Sequence, residues 1–239
     1  MNYCYTKCDL QLLEKPVFVR VRFSKLGSLQ FISHLDLHRT INRAIIRAGI
    51  PVWYTQGFNP HTKLVFATPL SVGTQSLCEY LDIRIDREIT PEEIKNRLNS
   101  ELPDEIRILD AYFPDTEFSD IMWSSYTIKI YSCPPTKNSL SAINELFSRQ
   151  EILMMKRSKA GDKNVNIIPY IKKLAVSAED DITIISAVLS ANSQNYLNPE
   201  YLIGAIKGET DILSAEPTEN FYTITRNSVL IEDGETEFR

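Results

Sequence analysis

Residues Phe31 to His61 read FISHLDLHRTINRAIIRAGIPVWYTQGFNPH and contain all three histidines of the 239-residue chain. Ser33, with Asp36 three residues later, has the spacing of a helix-capping box, and Gly49 followed by a proline is typical of a helix end. At about 100° per residue, the residues between them form one apolar face and one face with three arginines. The segment therefore predicts an amphipathic helix that begins after Ser33 and ends at Gly49.

Strand patterns surround this helix. Apolar and basic residues alternate from Phe18 to Phe23, which predicts a half-buried strand before the helix. After the helix we expect two strands near residues 63–67 and 77–85, a second helix that begins at Thr90-Pro91, and a closing strand at 106–113. This order, β-α-β-β-α-β, is that of the ferredoxin-like unit.

A weaker copy of the same order follows in the second half. Its expected strands lie near 126–131, 152–156, 166–171, 182–189 and 212–224, with helices near 140–148 and 198–206. We therefore expect an α+β protein with two tandem ferredoxin-like (β-α-β-β-α-β) halves, the second one degenerate. The expected organisation is a flexible leader at 1–15, a first ferredoxin-like domain at 16–113, a linker at 114–124, a second ferredoxin-like domain at 125–224 and an acidic tail at 225–239.

The composition argues against several classes of protein. With 43% hydrophobic and 24% charged residues, the chain resembles an ordinary globular protein. No apolar run reaches the roughly 18 residues of a membrane span, and the N-terminus has no apolar signal core. Cys4 and Cys8 form a C-x3-C pair, but Gln11 stands where a cluster motif needs its third cysteine. We expect a cytoplasmic protein with no membrane partner and no cofactor, and the role of the two cysteines stays open.

Local charges differ from the net charge of −5. Residues 1–75 hold nine Lys and Arg against three Asp and Glu, and a second basic island from Lys156 to Lys173 holds six basic residues and one acid. A specific RNA contact needs such local basic patches, even in a protein that is acidic as a whole. Both patches are therefore candidate RNA-binding surfaces.

Two features of the opening segment are candidate sites for parts of a nucleotide. His34 lies in the first helical turn, where free backbone N–H groups suit an anion. The turn with Phe58, Asn59 and His61, next to Lys63, suits a base or a ribose. Glycine, asparagine and proline also form ordinary tight loops, so this turn has a purely structural alternative.

Two basic groups are candidate phosphate sites. The first is the arginine stripe, the three residues at i,i+4 spacing on the outer helix face: Arg39, Arg43 and Arg47. The second is a predicted hairpin with a Gly161 turn and four basic residues: Lys156, Arg157, Lys159 and Lys163. The simpler interpretation of the arginine stripe is a solvated helix face.

The three histidines also suggest a zinc site. His34 and His38, at i,i+4, are spaced to ligate one metal jointly, with His61 as a third ligand. No acid on that helix face supports such a site, and the set lacks thiolates. Buried histidines that satisfy backbone carbonyls are the simpler interpretation, so we expect His34 and His38 to turn inward with the apolar residues.

One long run of sequence carries a family resemblance. The run VRFSKLGSLQFISHLDLHRTINRAIIRAGIPVWYTQGFNPHTKLVFATPLSVGTQS, followed by EYLDI, resembles the radical-SAM-associated (radical-SAM-linked) domain of unknown function. The resemblance covers about residues 17–115 and continues more weakly to Ile171. It implies the free-standing form of the family, a cytoplasmic bacterial accessory protein that serves a radical SAM enzyme in trans, with gene neighbours often tied to RNA. An apolar residue is usual in that family where this chain has His38, which weakens a ligand role for His38.

Together these observations predict a non-catalytic accessory protein of a radical SAM enzyme that binds RNA or an RNA-derived substrate. Two alternatives stay open: a protein-only adaptor, and an RNA-modifying enzyme, since tandem ferredoxin-like halves resemble the scaffold of tRNA pseudouridine synthases. Such an enzyme places its catalytic aspartate in an Arg-x-Asp-x-Gly context. Asp36 is the catalytic candidate here, but it lacks that context, and helix capping explains it better.

Overall fold

A computed structural model of the chain describes residues 10–156, 161–192, 194–214 and 216–239. Within them the chain is an α+β protein with ten β-strands and four α-helices. It divides into two compact units, the first ending at Phe118 and the second running from Ser119 to Phe238. No helix in these ranges is long and apolar enough to cross a membrane.

The first unit has the element order β-α-β-β-α-β, as its sequence pattern predicts. Its elements are β1 (Leu12–Lys25), α1 (His34–Arg47), β2 (Leu64–Phe66), β3 (Thr74–Arg87), α2 (Pro91–Glu101) and β4 (Ile106–Tyr112). All its pairs are antiparallel, in the order β4-β1-β3-β2. β1 begins inside the segment predicted as a flexible leader, because Leu12 already pairs with Arg87 of β3.

Helix α1 begins where the sequence predicts it. The Ser33 hydroxyl accepts a hydrogen bond from the Asp36 N–H at 3.1 Å, which satisfies one of the free donors of the first turn. The buried residues of α1 recur at helical spacing: Leu37, Ile41, Ala44 and Ile45. They share one core cluster with Val19, Val21 and Phe23 of β1. Burial of this apolar face therefore fixes α1 against the sheet.

The end of α1 also agrees with the prediction. Gly49 has a φ of 62°, in the left-handed region that favours glycine. The Gly49 N–H donates to the Ile46 carbonyl at 3.2 Å, and the Ile50 N–H donates to the Ile45 carbonyl at 3.1 Å. These two bonds form a Schellman motif, which satisfies carbonyls that the helix itself leaves free.

Gly49→Ala tests this helix end. A Cβ in the left-handed region is strained, so we expect the free energy of unfolding to fall by about 1 kcal/mol in urea denaturation. The matched control is Gly208→Ala, in a helix of the second unit, where nothing lies within 4 Å of an added Cβ. That control gains helix propensity, so it is expected to be neutral or slightly stabilising. A Gly49→Ala variant as stable as the parent would contradict the assignment.

The face of β1 away from the helices carries Phe18, Arg20 and Arg22, as strand alternation requires. Arg20 is only 1% exposed. Its Nε and Nη2 donate to the two carboxylate oxygens of Asp82 on β3 at 2.8 and 3.0 Å. Its Nη1 donates to Thr116 Oγ1 at 2.7 Å, which ties part of the predicted linker to the sheet of the first unit. The Arg20 charge is therefore buried together with a carboxylate that neutralises it.

The second unit contains eight strands and helices within the described residues. They are β5 (Trp123–Ile130), α3 (Lys137–Phe147), β6 (Leu153–Lys156), β7 (Lys163–Asn166), β8 (Ile171–Glu179), β9 (Ile182–Ser190), α4 (Glu200–Glu209) and β10 (Tyr222–Leu230). Four strands form an antiparallel sheet in the order β10-β5-β9-β8. β6 and β7 pair only with each other among the described strands and form a separate hairpin.

Two strand predictions for this unit are wrong. The segment 166–171 is not a sheet strand, because a 3-10 turn at Ile168–Tyr170 follows the end of β7, and Pro169 has no N–H for a ladder. The sheet strand there is β8, which the sequence pattern did not reveal because most of its residues are exposed. The last strand, predicted within 212–224, is β10, which begins only at Tyr222.

The acidic segment 225–239 is folded rather than a tail. Its first residues belong to β10, so the boundary predicted at residue 224 falls inside a strand. Phe238 is 1% exposed, and its N–H donates to the Val229 carbonyl at 2.8 Å. Lys173 forms an ion pair with Glu235 at 2.6 Å. The acids are therefore solvated residues of a turn that apolar neighbours hold in place.

Candidate functional site

A groove of about 500 Å³ lies in the first unit between α1 and the chain that precedes and includes β2. Its lining residues come from both elements: His38, Asn42, Ile46, Tyr54, Pro60, His61, Thr62, Lys63, Leu64 and Val65. None of these lining residues is acidic. The groove thus brings together His38, His61 and Lys63, which the sequence had singled out.

The loop from Thr55 to His61 at the edge of this groove is closed by its own hydrogen bonds. The Thr55 N–H donates to the His61 carbonyl at 2.9 Å, and the His61 N–H donates to the Thr55 hydroxyl at 3.1 Å. The His61 Nδ1 lies 3.0 Å from Thr55 Oγ1 and 3.3 Å from the Asn59 carbonyl oxygen. Because a carbonyl only accepts, the second contact favours a proton on Nδ1 and leaves Nε2 as an acceptor in the neutral ring.

Phe58 stands at the tip of the Thr55–His61 loop and is fully exposed, with a relative accessibility of 109%. It follows Gly57, whose φ of 145° is a conformation that favours glycine. Both faces of the Phe58 ring are therefore open to a planar partner. The backbone that carries the ring is already ordered by the loop's own bonds, so little loop entropy is lost on binding.

Asn42 links α1 to the loop and is a groove residue that the sequence analysis missed. The Thr62 hydroxyl donates to Asn42 Oδ1 at 2.8 Å. With Oδ1 used in this way, the Asn42 amide nitrogen keeps two N–H donors, which have no partner among the described residues. The available signal was its position four residues after His38, on the same side of the helix.

The two helical histidines flank the ring of Phe66. The centroid of Phe66 lies 4.9 Å from that of His34 and 6.0 Å from that of His38. His38 is half-buried, but His34 is exposed, so the prediction that both turn inward is wrong for His34. His34 lies in the first turn of α1, and its ring contacts the ring of Phe66. Burial, and then the charge of His34, lower the pKa of His38.

We expect the His38 imidazole to titrate below its usual pKa of about 6.5. Because the folded-state pKa is lowered, the stability that His38 contributes is complete above about pH 6.5 and is lost as the pH falls through the folded pKa. An NMR titration of the ring protons measures the midpoint. His34→Gln removes only the smaller cause, so it should raise the midpoint part of the way. A parent midpoint at or above 6.5 would contradict the burial of His38.

The histidines do not form a three-ligand metal site. No group of three His, Cys, Asp or Glu side chains in the described part of the chain is placed to hold a metal. His34 and His38 contact Phe66, whereas the His61 ring is held by the Thr55–His61 loop. Cys4 and Cys8 lie outside the described residues.

The arginine stripe is partly neutralised by the protein itself. Arg39 Nη1 lies 3.3 Å from an Asp36 oxygen. Arg47 Nε lies 2.9 Å from the Glu101 carboxylate, and Arg47 Nη2 donates to the Glu101 carbonyl at 2.7 Å, which links α1 to α2. Arg43 is exposed and has no ion-pair partner among the described residues. Arg43 is therefore the member of the stripe that is free to meet a phosphate.

Asp36 has the contacts of a capping residue. Its carboxylate accepts a hydrogen bond from the Ser33 hydroxyl at 2.7 Å. This bond and the nearby Arg39 guanidinium lower the pKa of Asp36. A carboxylate with a lowered pKa is a weak base near neutral pH, so these contacts do not favour a catalytic role.

The basic hairpin lies in the second unit. Lys156 and Lys163 are opposite each other at the end of the β6–β7 ladder, and both are exposed. Arg157 and Lys159, the other two predicted members, lie outside the described residues. In the part that is described, the hairpin therefore presents two lysines side by side.

The fold and the groove define an α+β protein with a groove, without an acid among its described lining residues, beside an exposed aromatic loop. The model of the family described as "Uncharacterized protein conserved in bacteria (DUF2344)" matches residues 19–199, and the chain belongs to this family. This confirms the predicted domain of unknown function in its coarser form, a conserved bacterial family. No curated protein matches the chain.

Among solved structures, the chain is similar to the crystal structure of an unknown protein from Galdieria sulphuraria. The two chains are 9% identical, and the similarity covers 89% of this chain and 99% of that chain. The TM-score of the superposition is 0.26.

Proposed function

We propose that this protein is a non-catalytic accessory protein of a radical SAM enzyme and that it binds RNA or an RNA-derived substrate. RNA binding is supported by one observation, the groove between α1 and the Thr55–His61 loop with the exposed Phe58 ring beside it. The radical SAM part rests on the sequence resemblance alone. The bound segment is single-stranded, because a base must leave its stack to meet an aromatic ring in this way.

The groove supplies the polar groups that an unpaired nucleotide needs. Phe58 offers a face for base stacking, and the two free Asn42 N–H donors suit acceptors on a base edge. His61 Nε2 accepts a hydrogen bond in the neutral ring, and Lys63 supplies a positive charge for the backbone. None of the described residues that line the groove is acidic, so these residues do not repel phosphate.

We further propose that each unit is a ferredoxin-like fold. The strand orders β4-β1-β3-β2 and β10-β5-β9-β8, with every neighbour antiparallel, support this for both units. In the second unit the order follows when the β6–β7 hairpin is taken as an insertion between α3 and β8. That insertion accounts for the degenerate appearance of the second half. A different strand order in either unit would refute it.

Crosslinking in bacterial cells, followed by sequencing of the bound RNA, tests the RNA part. We expect a discrete set of RNA segments, reduced in a Phe58→Ala strain. Affinity purification followed by mass spectrometry tests the partner, and we expect a radical SAM enzyme in both strains. If the enzyme is recovered without RNA, the protein is a protein-only adaptor. If the isolated protein converts RNA and Asp36→Ala abolishes the conversion, it is an enzyme and the proposal is wrong.

A further inference from the structure

A second cluster of chemically active side chains lies on the face of the first unit's sheet that is turned away from its helices. In the β1–β3 ladder, Phe18 is opposite Arg84, and its neighbour Val19 belongs to the core. Strand alternation therefore places Phe18 and Arg84 on the face opposite the core. Trp53 joins them, because its N–H donates to the Arg84 carbonyl at 2.8 Å.

The rings and cations of this cluster are stacked. The Arg84 guanidinium carbon lies 4.4 Å from the Trp53 ring centroid and 5.6 Å from the Phe18 ring centroid. The Lys63 ammonium lies 5.9 Å from the Phe18 ring centroid. Stacking on aromatic rings fixes the plane of a guanidinium while it leaves the N–H edges available for hydrogen bonds.

Within the part of the chain that the structure describes, no carboxylate forms an ion pair with either of these two cations. Among the described residues, neither Arg84 nor Lys63 has an ion-pair partner, and the Arg84 Nε is buried without a hydrogen-bond acceptor. Asp82, the next residue of β3 on this face, is occupied by Arg20 through both oxygens. The cluster therefore holds two positive charges and an unused donor.

We propose that this cluster, Phe18, Trp53, Lys63 and Arg84, binds a phosphate group. The planar guanidinium edge matches the two-oxygen face of a phosphate, and Lys63 adds positive charge nearby. The same chemistry suits a phosphodiester within an RNA strand and the terminal phosphate of a nucleotide. Lys63 also lines the groove, so the two sites are contiguous and one strand of RNA spans both. If the phosphate belongs to an RNA strand, this inference extends the proposed RNA-binding function and rests on it.

Tryptophan fluorescence reports binding at this cluster directly. The chain has two tryptophans, so Trp123→Phe leaves Trp53, which stacks on Arg84, as the reporter. The protein in this background is titrated with inorganic phosphate, with uridine monophosphate and with a hexameric oligouridine. We expect the emission to change with at least the hexamer, and Arg84→Gln to weaken that response about tenfold or more.

The comparison of ligands identifies the source of the phosphate. A response to the monophosphate as well as the hexamer indicates a terminal phosphate, whereas a response to the hexamer alone indicates a phosphodiester. Arg107→Gln, which removes an equal charge from an exposed pair with Asp104, is the control and should respond like the parent. Lys63→Ala, at an exposed position, gives a second variant that should weaken binding if Arg84→Gln fails to fold.

The inference and the proposed function fail in different ways. If no ligand changes the Trp53 emission at millimolar concentration, or if Arg84→Gln binds like the Arg107→Gln control, the phosphate site is refuted. Phe58→Ala, tested on RNA in cells, reports on the groove and does not involve Arg84. If RNA recovery depends on Phe58 but not on Arg84, RNA binding by the groove is supported and the phosphate site is refuted.

Discussion

Arg20→Ala is expected to lower the free energy of unfolding by about 3–5 kcal/mol, because it leaves Asp82 as an unpaired charge in a buried position. The side chains of this pair are only 2% and 12% exposed. Removing the guanidinium also removes the bond to Thr116 and the stacking of Arg20 on the Phe118 ring at 4.3 Å. Urea denaturation followed by circular dichroism measures the change.

Two further variants separate the buried charge from a general loss of packing. Arg39→Ala removes an exposed pair, with side chains 60% and 56% exposed, and should cost less than about 1 kcal/mol. The double variant Arg20→Met with Asp82→Leu removes both charges, and it should be more stable than Arg20→Ala. If Arg20→Ala is no worse than Arg39→Ala, the Arg20–Asp82 pair is not the buried unit that the structure describes.

Phe58→Ala is expected to weaken RNA binding about 5- to 150-fold, which corresponds to the loss of one stacked base, about 1–3 kcal/mol. The folded state should be unaffected, because the ring is fully exposed and the Thr55–His61 loop is closed by hydrogen bonds of Thr55 and His61 that do not involve it. Fluorescence anisotropy with an RNA segment recovered by crosslinking measures the affinity.

Phe113→Ala is the matched control for this experiment. Phe113 is also an exposed phenylalanine of the first unit, 57% accessible, and it follows β4 at the sheet edge opposite β2. Its removal should leave the affinity unchanged. Equal losses of RNA affinity in the two variants would mean that any exposed ring in this unit supports binding. The groove would then not be the specific RNA-binding site.

The first unit was predictable because its signals are local. Ser33 and Gly49 mark the two ends of α1 through backbone chemistry that needs no other part of the chain. Thr90 and Pro91 do the same for α2, whose cap bond from the Glu93 N–H is present at 3.2 Å. The order of strands and helices therefore followed from the sequence before any contact was known.

The second unit was less predictable because its signals are not local. β8 pairs with β9 along its length but presents mostly exposed residues, so its apolar period is weak. The acids after Glu232 suggested a tail, yet Phe238 is buried and its N–H donates to the Val229 carbonyl of β10. Tertiary contacts decide both segments, and a pattern read along the chain does not contain them.

The site was predictable in its members but not in its arrangement. His61 and Lys63 were singled out from the sequence as neighbours of one turn, but Asn42 became visible only through its hydrogen bond with Thr62. The arginine stripe was predicted as one surface, yet Glu101 of a different helix takes Arg47. The charge pattern of the sequence shows which basic residues could bind a phosphate. The fold decides which of them are neutralised by an acidic partner.

The most direct test of the account is the position of the RNA crosslink on the protein. The purified protein is irradiated with 4-thiouridine-labelled bacterial RNA, digested, and the crosslinked peptides are identified by mass spectrometry. We predict crosslinks within residues 54–65, with Phe58 among the modified residues, and their loss in Phe58→Ala. Crosslinks that avoid residues 54–65 altogether, at a yield that Phe58→Ala does not change, would contradict the central claim that this groove binds RNA.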